Sequence, residues 1–377
     1  MVPGLRAPAV PASTPPTGGP LLADTKLTDL YIRLDPPGFA IYRPKSQGGR
    51  SNPVQVPKHH MAEVEEIRKK LLSTDDKQDW GVVHHALRWR ARLQRMVGNE
   101  MWAALRPTAP RPWRIERLGI ENEALAEMAA LGSRPGLIII AGATGDGKST
   151  TAASLLDHWL ETIGGIAFTA EDPVEFDLSR PRANGSHAWQ MEVDDDNGWE
   201  TALKSALRWH PDYIYLGETR TARTAVKLLR LAASGHTCMT TVHASSPTEA
   251  VNAIIHLADE ELRGSAGARV ASCLSGVVHQ KMSGLGRPFA RLLITQPGEG
   301  CPFRGIIRDN RFEQIDTFLD QQEIRIFGAR RSLESFEAGH PQPLRGVAPG
   351  ESPRDAARRA VTQREVSLRL RASVQQP

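Results

Sequence analysis

The sequence predicts an α/β fold, a parallel sheet with interleaved helices, preceded by a smaller α+β domain. Three observations carry this expectation. Residues 136–142 (GLIIIAG) are apolar throughout, as a strand covered on both faces of a parallel sheet must be. Strand-like and helix-like runs alternate from residue 124 to residue 244, the pattern of a parallel α/β architecture. Between the first such strand and the next helix stands a G-x-x-x-x-G-K-[ST] turn, a phosphate-binding loop in its required strand–turn–helix setting.

Taken in chain order, residues 1–24 are rich in Pro, Gly and Ala with almost no charge, and are expected to be a disordered extension. The smaller domain is expected over 25–115. LTDLYIRL (27–34) and GFAIYRP (38–44) flank a Pro-Pro-Gly turn and read as a hairpin. Residues 59–73 carry apolar residues at helical spacing, and HALRWRARLQRM and EMWAALRP read as further strands or a mixed pair. The larger domain is expected over 116–335. ALAEMAAL is a helix stopping at Gly132, and STTAASLLDHWLETIG a helix closed by Gly164 and Gly165. GIAFTAED, YIYLGE and TCMTTVHA are strands, separated by the helices WETALKSALRW and TARTAVKLLRLAAS. Beyond Asp320 the pattern weakens.

Composition bounds the function. The 377 residues are 40% hydrophobic and 24% charged, as in a soluble globular protein long enough for two cores. No run approaches the roughly 18 apolar residues of a membrane-spanning helix, and the N-terminus lacks the apolar region of a secretory signal. An integral membrane segment is therefore not expected, and a cytoplasmic location is. Cys238, Cys273 and Cys301 form no CxxC pair, which argues against a zinc ribbon or a disulfide framework. The net charge of +4 resides in residues 340–377, where seven arginines face three acids. With the charge confined to a tail (336–377, expected to be disordered) and no basic face in the folded body, nucleic acid is not expected as a direct ligand.

The turn itself comprises Gly142, Ala143, Thr144, Gly145, Asp146, Gly147, Lys148, Ser149 and Thr150. Its glycines let successive backbone N–H groups point at the phosphates of ATP, and the following helix offers its positive end to the same anion. Lys148 would reach the outer phosphates, and the Ser149 hydroxyl would ligate Mg²⁺. Hydrolysis needs an acid near the γ-phosphate as well. Glu171 and Glu218 each follow a strand, at the carboxyl edge where ligands bind in such sheets.

These segments, with TAEDPVEF (169–176), SALRWHPDYIYLGETR (205–220) and SGHTCMTTVHASSPTEA (234–250), resemble the Walker A, aspartate, atypical Walker B and histidine boxes of the type II/type IV secretion and pilus-motor ATPases. The resemblance is close from about Leu118 to Lys281. It implies a RecA-like ATPase domain behind a PAS-like N-terminal domain, a homo-hexamer, and an inner-membrane platform or coupling protein as partner. It also implies that Glu171 and Glu218 share water activation and metal-shell duties, with the base left open between them. His243 becomes a γ-phosphate sensor and a catalytic residue beside Lys148, with Ser149 and Glu218 at the metal. Arg208, Arg220 and His236 become nucleotide-site residues, and Arg90 and Arg106 the arginines the first domain sends to the nucleotide. PFRGIIRDNRFEQI (302–315) and the missing tetracysteine motif resemble the retraction-type and the Dot/Icm or conjugative members. Thr221, where the family usually has an acid, and the Val242-His243-Ala244 form of the histidine box depart from its commonest pattern. The expected function is a motor powering a secretion, conjugation or pilus machine at the cytoplasmic face of the inner membrane. The competing readings are a RecA-like DNA or RNA translocase or helicase, and a nucleotide-switched scaffold.

Overall fold

The protein is described from a computed structural model covering residues 22, 27–328, 333 and 336, apart from 37, 46–50, 74–78, 85–86, 109–110, 194–195, 285 and 297–299. The expected N-terminal extension and basic tail lie, but for Leu22 and Phe336, outside the described residues.

The first unit is a six-stranded sheet and a helix. Its strands are β1 (Leu27–Arg33), β2 (Phe39–Pro44), β3 (Val54–Gln55), β4 (Asp79–His84), β5 (Leu87–Arg95) and β6 (Met101–Thr108), and the helix is α1 (Met61–Leu72). The order is β3-β2-β1-β6-β5-β4, antiparallel at every pairing. The expected hairpin is β1–β2, and the two less regular runs are the antiparallel neighbours β5 and β6. Alternation decides which side of β5 does what. Trp89 and Ala91 join Leu30, Ile32 and Leu105 against Val64, Ile67 and Leu71 of α1, leaving Arg88, Arg90 and Arg92 for the other face.

The second unit begins with α2 (Asn122–Leu131), β7 (Gly136–Gly142), α3 (Lys148–Thr162), β8 (Ile166–Glu171), β9 (His187–Glu192) and α4 (Asp196–Trp209). It continues with β10 (Tyr213–Leu216), α5 (Ala222–Ala233), β11 (Thr237–His243), α6 (Pro247–Leu262), α7 (Ala266–Cys273), β12 (Leu274–Met282) and β13 (Pro288–Ile294), and ends on α8 (Pro302–Arg308) and α9 (Ile315–Phe327). The sheet order is β13-β12-β7-β11-β10-β8-β9, parallel except for the antiparallel edge strand β13. Along β7 the side chains divide between two cores. Leu137, Ile139 and Ala141 pack with α5 and α6, while Ile138 and Ile140 pack with α2 and α3. This is why GLIIIAG carries no polar alternation. The helix α9 runs past the point where the sequence pattern weakens, because polar residues occupy its buried side: Gln322 pairs with both backbone groups of Ile294, and Glu323 accepts from Arg291 Nε at 2.9 Å.

Trp159 anchors α3. Its ring stacks on Tyr213 at 5.9 Å, its Nε1 donates to Ala129 O at 3.0 Å, and Gly132 admits it, since a Cβ there would lie 2.3 Å from the ring. Replacing this fully buried ring should leave a large cavity. Trp159→Ala should therefore lower the unfolding free energy by about 3–5 kcal/mol, read as a lower urea midpoint at an unchanged slope.

Candidate functional site

The carboxyl ends of β7, β11, β10 and β8 lie side by side, and each delivers one element of a crevice of about 410 Å³, within the range of small-molecule sites. Gly142 ends β7 opposite His243, which ends β11, while Glu218 follows β10 and Glu171 ends β8. In strand spacings His243 is nearest the glycine turn, Glu218 second and Glu171 third.

The turn is held from inside and below. Gly147 adopts a left-handed conformation (φ 82°) at the cap of α3, which a side chain would oppose. Gly142 passes so close to β12 that a Cβ would lie 2.3 Å from Gln280 O. Lys148 is buried, and its Nζ donates to Gly142 O (3.0 Å) and Ala143 O (2.9 Å). Burial pushes its pKa down, opposed by the negative fields of Glu218 and Asp146. The Asp146 carboxylate is turned into the turn's own backbone, accepting from Ala143 N (2.7 Å) and Met282 N (2.9 Å). Gln280 completes the brace: its Nε2 donates to Asp146 O, and its Oε1 accepts from Thr151 Oγ1 at 2.7 Å. The curled backbone at the positive end of α3, with Lys148 inside and the Ser149 and Thr150 hydroxyls on the crevice wall, fits a nucleotide polyphosphate. Among the described residues no group of three His, Cys, Asp or Glu side chains could hold a metal ion. The donor set suits a hard ion shared between one or two protein oxygens and phosphates, with Ser149 and Glu218 the available protein oxygens.

His243 bridges this turn to the acids. Its Nδ1 lies 3.4 Å from Lys148 Nζ and its Nε2 3.6 Å from Glu218 Oε1. Lys148 has only protons to offer, so these partners assign the proton to Nε2. Glu218 also accepts from Arg220 at 2.8 Å, and Arg220 lies 3.8 Å from Asp172. Gly217, just before Glu218, has a clear role: a Cβ there would sit 3.3 Å from Glu171 Cα. The bare backbone lets β10 end against β8.

Glu171 is a different kind of carboxyl. It is buried, and its Oε1 accepts from Thr169 Oγ1 (2.7 Å) and Gln190 Nε2 (3.1 Å). Burial raises its pKa from an ordinary 4.5 to about 7, against those hydrogen bonds and the Arg88 field, with Glu175 adding to the rise. Glu175 is itself pushed up by burial and lowered by Arg90.

Of the residues expected here, the structure brings together Lys148, Ser149, Thr150, Glu171, Glu218, Arg220, His243 and, from the first unit, Arg90. Three others lie elsewhere in this chain. His236 precedes β11 at its opposite end, roughly 20 Å from His243 by strand rise. There its Nδ1 faces Ser234 Oγ and Leu231 O. Arg208 is exposed in the last turn of α4, a helix that leads into the amino end of β10. Arg106 is the cross-strand neighbour of Arg90 but is tied to Asp29 at 2.8 Å. Gln280, Gln190 and Thr169 carry no local signal, because their parts depend on neighbours that the folded sheet brings to them. Glu175 was legible only as one acid in TAEDPVEF.

Comparison with known proteins accords with this geometry. The family described as type II/IV secretion system protein matches residues 87–299. The type IV pilus ATPase PilU of Pseudomonas aeruginosa is 33% identical over 151 residues, 40% of this chain and 39% of that protein. The type IV pilus retraction ATPase PilT of the same organism is 32% identical over 185 residues, 48% and 52% of the two chains. The matched region thus spans about half or less of these relatives. Among solved structures, the pilus retraction motor PilT with bound ADP superposes with a TM-score of 0.63 at 25% identity, covering 86% of this chain and 96% of that one. The Legionella pneumophila ATPase DotB shares the fold, with a TM-score of 0.60 at 20% identity over 83% and 92% of the chains.

The raised pKa of Glu171 has a thermodynamic signature. Because folding favours its protonated form, the stabilisation is full below pH 4.5 and lost as pH rises through about 7. Relative to Glu171→Gln, the unmodified protein should lose up to about 3 kcal/mol of stability between pH 4 and pH 8.5, checked by urea unfolding of both proteins across that range.

Proposed function

We propose that this chain, which belongs to the type II/IV secretion system protein family, hydrolyses ATP and uses the cycle to drive a secretion, conjugation or type IV pilus machine. The observation that carries this reading is one convergence: buried Lys148 in its glycine turn, with His243 and Glu218 on the two strands beside it. In this reading the second unit is a RecA-like ATPase domain and the first a PAS-like domain that closes over the nucleotide. The α3 N-terminus and turn amides bind the phosphates, and Lys148 exchanges its carbonyl partners for phosphate oxygens. Ser149 and Glu218 would be the protein oxygens that hold a Mg²⁺ ion, which when bound would supply charge neutralisation for phosphoryl transfer. Glu218 orients and deprotonates the attacking water, since it stands in the field of Lys148 and beside His243. Glu171, buried and half-protonated near neutrality, supports that carboxylate instead of replacing it. His243, between Lys148 and Glu218, reports the γ-phosphate to the acid. Arg90 and Arg220 supply positive charge at the crevice rim.

The motor reading further places six copies in a ring at the cytoplasmic face of the inner membrane, acting on a platform or coupling protein. Among the described residues no helix is long and apolar enough to cross a membrane.

Two outcomes are expected. Lys148→Ala should abolish ATP hydrolysis without unfolding the chain, and Glu218→Gln should keep nucleotide binding but lower kcat about 10²-fold or more, a larger loss than Glu171→Gln gives. The reverse order in steady-state phosphate release would move water activation to Glu171. In sedimentation velocity the chain should form hexamers with a non-hydrolysable ATP analogue. Monomer alone at high concentration would count against the ring.

A further inference from the structure

One carboxylate outside the crevice joins both units. Glu192, at the end of edge strand β9, accepts from Gly81 N of β4 at 2.7 Å and from Arg88 of β5 at 2.5 Å. It also accepts from Val174 N at 3.3 Å, and Arg88 Nε donates to Val174 O at 3.0 Å. Arg88, Glu192 and Val174 therefore form a closed ring of hydrogen bonds, with Gly81 as a fourth member. A Cβ on Gly81 would lie 2.3 Å from the Arg88 guanidinium, so the bare glycine is what lets Arg88 lie across β4.

Val174 belongs to the segment that follows Glu171, whose Asp172, Pro173 and Glu175 line the crevice. The rest of that segment is held from within the second unit. Gln190, two residues earlier on the same face of β9, donates to Glu171 Oε1 and Phe176 O and accepts from Leu178 N at 2.7 Å. The middle of the segment is tied to the first unit twice at Val174, directly by Arg88 Nε to Val174 O and through Glu192, which accepts from Val174 N, Arg88 and Gly81 N. The strand period adds a second point: Arg90 lies on the same face of β5 as Arg88 and lines the crevice, so clasp and crevice draw on one face of one strand. An isolated surface ion pair contributes little. Here the carboxylate is charge-paired and also accepts from two backbone N–H groups, one on a fixed strand, a geometry that charge-assisted bonds reward.

We propose that Glu192 is a positioning residue, which through its clasp with Gly81, Arg88 and Val174 couples the seat of the first unit to the crevice segment 172–178. Release of the first unit frees Val174, and with it the wall of the crevice. The link to nucleotide rests on the ATPase reading, but the mechanical coupling can be tested without nucleotide.

The test is hydrogen–deuterium exchange on the full chain with two variants acting from opposite sides. Glu192→Ala removes the acceptor, and Gly81→Ala displaces the Arg88 guanidinium while leaving every clasp charge present. Both should speed exchange in 172–178 about tenfold or more, with the β7, β10 and β11 amides unchanged. Exchange in that segment within about twofold of the unmodified protein in both variants overturns the proposal, as does a rise spread evenly through the second unit. A fluorescent ATP analogue then separates the two claims. Its Kd should rise about fivefold in Glu192→Ala and in Arg90→Ala, with no further loss in the double variant, as coupled sites require; additive losses overturn the link to Arg90. Failure of the unmodified protein to bind the analogue would sink the ATPase reading, while the exchange result still decides the clasp.

Discussion

A buried ammonium must find acceptors, and in this protein the need is met by two carbonyls of the same turn that carries it, Gly142 O and Ala143 O around Lys148. Much of the crevice follows from that constraint. For the carbonyls to face inward the backbone must curl, which places Gly147 at positive φ and presses Gly142 against Gln280 O. Once curled, the turn needs a brace, and Asp146 and Gln280 provide it by turning their polar groups inward. Gly145, Gly147, Ser149 and Thr150, at the positive end of α3, line the crevice. An anion offered there would meet a preorganised set of donors and a lysine whose interactions with carbonyl oxygens can be exchanged for stronger ones with phosphate.

The two carboxylates on the far wall have been given different environments. Glu218, half-exposed and surrounded by Arg220, His243 and Lys148, stands among cationic and protic groups. Glu171, three strands from the glycine turn, is buried against Thr169 and Gln190 and holds its proton up to about pH 7. The missing Cβ of Gly217, which brings β10 and β8 together at their ends, is what sets the two acids side by side.

Much of this was legible in the sequence where the signal is local. The apolar run of β7, the glycine spacing and the helix after it specify the turn from consecutive residues, and Glu171, Glu218 and His243 could be placed because each ends or closely follows a strand. What depends on cross-strand neighbours was not legible. Gln280 reads as one of several polar residues in its strand, between His279 and Lys281, and its partners Asp146 and Thr151 lie more than a hundred positions away. The same holds for Gln190 and Glu192, whose partners are fixed by sheet order. His236 misled because six residues of strand separate it from His243: two histidines of one sequence box stand at opposite ends of β11. Arg106 misled because Asp29 on the neighbouring strand takes it first. The reach of α9 was hidden because, beyond Ile315 and Leu319, its buried side continues with Gln322 and Glu323, which pair with Ile294 and Arg291.

The central claim is that this crevice cleaves the terminal phosphate of ATP with a metal ion shared between protein and phosphates. Release of inorganic phosphate from ATP by the purified full chain, followed with Mg²⁺ present and with Mg²⁺ chelated, tests it most directly. Sustained release that stops on chelation is expected. No release at any protein concentration, or a rate indifferent to the chelator, would contradict it.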